Sequence, residues 1–142
     1  MIIPVSKENE REWAALCAAL WPEVSVEDRI CDRISLPLEY EFLYYVNGEA
    51  IAFLSLSLRH DYVEGMTSSP IGYVEGIYVK PNFRGKGIAK ELIEFAKKWT
   101  LDKGCKQLAS DVELDNEGSR LFHNQVGFKE LGRMICFMMD LE

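Results

Sequence analysis

The sequence predicts a mixed α/β domain of the α+β kind, with a central sheet of about six or seven strands flanked by about four helices. Three observations carry that expectation. Stretches with apolar residues at helical spacing are interleaved with strand-like runs, so both element types are present. Asn47-Gly48 separates two of those runs, a strong signal for a hairpin and hence for antiparallel pairing. A third run ends at Val79 and passes through a Gly-rich turn into a long amphipathic helix.

Taken in order, Ser6 can cap a first helix whose start is favoured by Glu8, Glu10 and Glu12 at its positive end. That helix is predicted from about Lys7 to Leu20 and stops before Pro22. A second short helix is predicted over Val26 to Ile34, ended ahead of Pro37. Strand-like runs follow at Glu41–Val46, Ala50–Leu58 and, after a loop from His60 to Pro70, Ile71–Val79. Ile88, Ala89, Leu92, Ile93, Ala96 and Trp99 recur at helical spacing between Gly87 and Lys103, and Gly104 terminates that helix. A short strand is expected at Gln107–Ser110 and a short helix at Glu117–Gln125, closed by Gly127. Lys129–Leu131 and Met134–Leu141 read as a final strand pair around Gly132.

The chain has 142 residues and a formal charge of −7, from 16 basic and 23 acidic side chains. This length fits one domain, residues 1–142, and buries roughly 68–70% of its unfolded surface, enough for a core without staples. A 48% hydrophobic and 27% charged composition excludes a disordered chain, a collagen and a disulfide miniature. Net acidity argues against nucleic acid as a partner and suits a cationic small molecule. Cys17, Cys31, Cys105 and Cys136 form no CxxC pair, and only His60 and His123 stand beside them, so no metal site is expected. Scattered thiols point to a reducing compartment. The N-terminal residues form no signal-peptide core, and Ala14–Trp21 is too short to span a bilayer, so a cytoplasmic protein is expected.

The most informative stretch is Val74 to Ala89, a strand, a basic turn and a helix start. Backbone N–H groups at a helix entry are unpaired, and the helix dipole adds positive potential. Gly85 and Gly87 let a phosphate approach the backbone with no Cβ in the way, while Arg84 and Lys86 add charge. The stretch has the makings of a pyrophosphate cradle. It is not a P-loop, since Ile88 follows Gly87, and it does not open a chain of βαβ units.

Arg84-x-x-Gly87-x-Ala89 resembles the R/Q-x-x-G-x-G/A signature of the GNAT N-acetyltransferase superfamily. Downstream, Asn116 and the run Leu121-Phe122-His123-Asn124-Gln125-Val126-Gly127-Phe128 resemble that family's asparagine and its helix ending in Gly-Phe. The resemblance implies the GNAT fold and acetyl-coenzyme A (acetyl-CoA) as co-substrate. The backbone of Ile77, Tyr78 and Val79 would pair with the pantetheine arm like an added strand. The N–H groups of Gly85, Lys86, Gly87, Ile88, Ala89 and Lys90 would hold the pyrophosphate, and Asn116 would reach the sulfur end. Many members carry Tyr where this chain has His123, as general acid for the thiolate. An imidazolium could take that part, or His123 could simply pack.

A closer likeness lies in four segments: Leu20-Trp21-Pro22; Arg59-His60-Asp61-Tyr62-Val63-Glu64-Gly65 with Ser68-Ser69-Pro70; Glu75-Gly76-Ile77; and Lys103-Gly104-Cys105 leading to Ala109-Ser110-Asp111. Together they resemble short-form aminoglycoside 6′-N-acetyltransferases, enzymes of antibiotic resistance. An aminoglycoside carries several ammonium groups on sugar rings, so its site needs carboxylates and aromatic faces. Glu75 and Asp111 are the expected acceptor-site carboxylates, and by resemblance Trp21 and Tyr62 line the same pocket. Either carboxylate could serve as base, directly or through water. A carboxylate beside an ammonium also stabilises the unreactive protonated amine, which favours a positioning role. The position of a further acidic residue in some relatives falls here at Gly132, with Glu130 two residues earlier. The family precedent implies a homodimer, and the apolar run Met134, Ile135, Phe137, Met138 and Met139 fits either an interface or a buried central strand. Two other readings stay open: acetylation of another amine, such as a polyamine or a protein N-terminus, and a non-catalytic acetyl-CoA-binding module.

Overall fold

The computed structural model describes residues 1–35 and 39–142. The elements are β1 (Ile2–Pro4), α1 (Glu10–Leu20), α2 (Val26–Ser35), β2 (Glu39–Val46), β3 (Glu49–Arg59), β4 (Ile71–Val79), α3 (Ile88–Asp102), β5 (Leu108–Ser110) and α4 (Glu117–Gln125). The five strands lie in sequential order in one sheet. Neighbours are antiparallel from β1 to β4, and β4 pairs in parallel with β5. The β2–β3 turn forms where Asn47 and Gly48 both adopt positive φ, 50° and 79°, the conformation that a two-residue hairpin demands. A parallel pair needs a crossover, and α3 supplies it between β4 and β5.

The sheet buries both faces. Leu54, Leu56, Val74 and Val79 pack with Ile88, Leu92, Ile93 and Ala96 on the α3 side. Leu43, Ala50 and Phe53 pack with Trp13, Ala14, Leu16 and Cys17 on the α1 side. Each large apolar side chain so buried contributes roughly 1.5–3 kcal/mol. Both helices are thereby clamped to β3 and β4, the strands that carry the site.

Three expectations need correction. Ser6 does not cap α1: its Oγ accepts from the Glu8 N–H, while the Asn9 side chain accepts from the Ser6 N–H. Residues 6–9 thus form a side-chain-bonded turn, and the helix starts at Glu10 rather than Lys7. The opening residues, expected only to lack a leader, form β1 by pairing Ile2–Pro4 with Phe42–Tyr44. Among the described residues the sheet has five strands rather than six or seven, because residues 129–142 form no ladder. A strand needs a partner's N–H and C=O groups, and this segment meets none among the described residues of its own chain. Its base is held by Arg133 on Glu130 and by Leu131 beside Gly65. Beyond that, Met134, Ile135, Phe137, Met138 and Met139 are 73–93% exposed. The expected stop of α2 ahead of Pro37 lies outside the described residues, α2 being described to Ser35. No helix among the described residues is long and apolar enough to cross a membrane. None of their acidic, Cys and His side chains cluster in a way that could hold a metal ion.

Candidate active site

Glu75 owes its place to a break in the β3–β4 register. Val74 pairs with Leu56 and Gly76 with Ser55, so Glu75 is the extra residue of a β-bulge. The bulge turns its carboxylate onto the sheet face that also carries Ser57 and Arg59. Oε2 accepts from Ser57 Oγ at 2.5 Å, and the Arg59 fork reaches both oxygens at 2.8–3.0 Å. The Arg59 guanidinium lies over the Tyr73 ring, 3.5 Å from its centroid. Tyr73 in turn donates its hydroxyl to Asp111 Oδ2 at 2.5 Å.

Glu75, Arg59, Tyr73 and Asp111 therefore form one connected chain. Burial pushes the Tyr73 phenol well above its ordinary pKa, and the Asp111 carboxylate that it bonds adds to the shift. Tyr73 is thus a fixed neutral donor. The bond to Glu75 raises Arg59 further above its already high value. Asp111 is an exposed carboxylate just past β5 that accepts from the Tyr73 hydroxyl.

Trp21 follows α1 and lies directly on Gly76, where a Cβ would collide with its ring. The ring stands 5.5 Å from Phe53, and Arg29 lies 4.9 Å above it. Trp21, Glu23, Arg29 and Glu75 line a shallow pocket of about 280 Å³. Tyr62 is outside that lining. It is 84% exposed in the 60–70 loop, so the structure brings Trp21 and Glu75 together and leaves Tyr62 apart.

β4 and β5 pair only through Gly72–Leu108, Tyr73–Ala109 and Val74–Ser110. Past Val74 the strands part, and residues 75–79 present an edge to which an extended ligand arm can add. The Gly-rich turn opens beside that edge. Gly85 and Gly87 take φ of 78° and 82°, and nothing lies within 4 Å of where their side chains would be. A cradle for a phosphate fits there. Ile88 is buried in the core and Ala89 packs against it, so both contribute backbone rather than side chain. Lys86 lies near the Phe83 ring, and Arg84 turns inward, donating Nε to the Val79 carbonyl at 2.8 Å.

Asn116 caps α4, its Oδ1 accepting from the Ser119 N–H at 3.1 Å. His123, on α4, bridges to β5. Its Nδ1 meets the Ser119 carbonyl at 2.7 Å, which fixes the proton on that nitrogen. Nε2 then faces Ser110 Oγ at 2.8 Å, as acceptor when neutral and as donor when charged.

Sequence reading missed the parts played by Ser57, Arg59, Tyr73 and Gly76. Arg59 and Gly76 stood inside quoted segments, and their signal was a charge and a missing side chain next to candidate residues. Ser57 and Tyr73 offered no signal, since they look like ordinary strand positions.

Residues 7–128 match the family model described as "Acetyltransferase (GNAT) family". An aminoglycoside N(6′)-acetyltransferase type 1 of Salmonella enteritidis is 36% identical over 137 residues, 94% of each chain. Among solved structures, an aminoglycoside 6′-N-acetyltransferase of Acinetobacter haemolyticus superposes with a TM-score of 0.91 at 33% identity, covering 100% of this chain and 99% of that one. AAC(6′)-Iy, solved with the bisubstrate analog CoA-S-monomethyl-acetylneamine, gives a TM-score of 0.91 at 35% identity, covering 99% and 97%.

Proposed function

The chain belongs to the acetyltransferase (GNAT) family, and we infer that it is an aminoglycoside N(6′)-acetyltransferase using acetyl-CoA as co-substrate. It transfers the acetyl group to the 6′-amine of aminoglycoside antibiotics. One observation carries this reading: where β4 leaves β5, Glu75 and Trp21 meet beside the open edge of Ile77, Tyr78 and Val79. A cation-holding carboxylate and an apolar ring face stand at the mouth of a groove suited to an acyl carrier.

Acetyl-CoA supplies the thioester; the neutral amine forms the C–N bond as the C–S bond breaks, and CoA leaves as thiolate. The backbone of Ile77–Val79 holds the carrier's arm, and one of its N–H groups steadies the developing oxyanion. The N–H groups of Gly85 to Lys90 hold the diphosphate, with Arg84 and Lys86 adding positive charge. Asn116 serves the sulfur end through the start of α4. His123, by way of Ser110, supplies charge or a proton to the departing thiolate.

Trp21 receives the sugar ring, and Tyr62, exposed in the 60–70 loop outside this pocket, offers its ring to the substrate from the loop side only once the loop closes toward it. Glu75 and Asp111 position the ammonium groups. Glu75 already accepts from Ser57 and Arg59, which supports orienting work for it, with the amine's proton leaving through water.

Residues 1–142 act in this reading as one domain, with no nucleic-acid partner, in the reducing cytoplasm that the scattered cysteines suit. The chain works as a homodimer joined through residues 134–141. Support comes from an exposed apolar run of strand-like sequence that has no ladder among the described residues of its own chain.

The test mixes protein, acetyl-CoA and a panel of aminoglycosides, with spermidine as control, and follows thiol release. Turnover on 6′-amino compounds and none on a 6′-hydroxyl analogue is expected. Turnover on spermidine alone moves the function to polyamines. Silence with cofactor bound leaves a binding module.

A further inference from the structure

The site contains a cation where a cationic substrate must arrive. Glu75, 20% exposed, lines the pocket, and Arg59, 39% exposed, holds both of its oxygens from beside that lining rather than from within the core. The carboxylate that should meet an ammonium is already matched by a guanidinium through both oxygens. This bears on the acceptor's chemistry. A bare carboxylate raises the pKa of a neighbouring amine and holds it in the form that cannot attack, whereas a carboxylate neutralised in place does not.

We propose that Arg59 is a positioning residue that neutralises Glu75 and thereby keeps the bound amine's pKa low enough for attack. The inference rests on the acetyltransferase reading above and adds a determinant of its rate. The charged and titratable groups facing Arg59 are Glu75 and Tyr73 of β4 and Asp111 beyond β5. Glu23, in the turn after α1, and Arg29 of α2 stand on the pocket's rim. Tyr73 is neutral, and it separates Arg59 from Asp111, so the guanidinium's partner is Glu75. Stacking on Tyr73 fixes the plane of the fork, and Ser57 fixes the carboxylate from the other side. The geometry holds the charge in place before the substrate enters.

The experiment is the pH profile of kcat on a 6′-amino aminoglycoside, which reports groups in the bound complex. Arg59→Gln is expected to move the ascending limb about one pH unit alkaline, as a unit charge at contact range does in a half-exposed site. At pH 7 kcat then falls about tenfold and recovers at high pH, while the KM for the acceptor stays level or drops. Arg59→Lys keeps the charge and loses the fork, so its limb stays at the wild-type position. A loss equal at every pH, or a rise in acceptor KM alone, overturns the proposal. If the glutamine variant does not fold, a displaced limb in the lysine variant overturns it instead. Failure of the wild-type protein to turn over any 6′-amino compound is a separate result, and sinks the function rather than Arg59's part in it.

Discussion

Gly76→Ala tests the acceptor pocket at its tightest point. Gly76 does not have a positive φ, so alanine brings no backbone strain, and its effect comes from the Cβ alone. That Cβ falls on Cη2 and Cζ2 of Trp21 and close to Phe53. The strand cannot retreat, because Gly76 is paired to Ser55 in the sheet. Overpacking of this kind costs about 1–3 kcal/mol. Trp21 is only half-buried and can swing outward, which places the cost near ~1 kcal/mol, a fall in Tm of roughly 2–6 °C. The swing carries the ring off the pocket. Aromatic and cation–π contacts are worth about 0.5–1.5 kcal/mol, so the acceptor KM should rise about 2–12-fold. Thiol-release kinetics, with acceptor and acetyl-CoA varied separately, measure this, and the KM for acetyl-CoA should hold. Adding Trp21→Phe should recover stability without recovering KM, a coupling expected only between touching residues. An unchanged acceptor KM, or an equal rise for acetyl-CoA, refutes the placement of Trp21 over Gly76 as the acceptor floor.

Glu75→Gln should lower turnover about a hundredfold or more while acetyl-CoA binding, followed by titration calorimetry, stays nearly intact; equal loss of both moves Glu75 out of the acceptor site. Asp111→Asn should weaken both turnover and aminoglycoside binding. It should also lower the Tyr73 midpoint toward ordinary tyrosine, read by absorbance against Tyr73→Phe. The sign follows from the raised folded pKa: the fold favours the neutral phenol, so the linked stability is whole below about pH 10 and is lost as pH climbs through the folded value. Deleting residues 134–142 should yield a monomer by light scattering, and a dimer that survives places the interface elsewhere.

Sequence alone determined the parts of this protein that are local. The Asn47-Gly48 hairpin, the long helix after Gly87 and the Gly-rich entry are each set by a few adjacent residues whose backbone preferences agree with the fold. The glycine-rich turn proposed to hold the cofactor is therefore legible in the residues themselves, and so, by their motifs, are Glu75, Asp111 and Trp21, which are proposed for the acceptor. Tertiary structure decided how those residues meet. The bulge that aims Glu75 depends on pairing between β3 and β4, and no residue type announces it. Arg59 reaches Glu75 across 16 residues, and Tyr73 reaches Asp111 across 38. The expected final strand pair does not form among the described residues, for the same reason. Apolar residues gave 134–141 the pattern of a strand, but a strand exists only where another backbone completes its hydrogen bonds, and the described residues of this chain supply none. Propensity belongs to a segment, whereas pairing, charge neutralisation and close approach belong to two segments at once, and only the folded chain brings the second one into place.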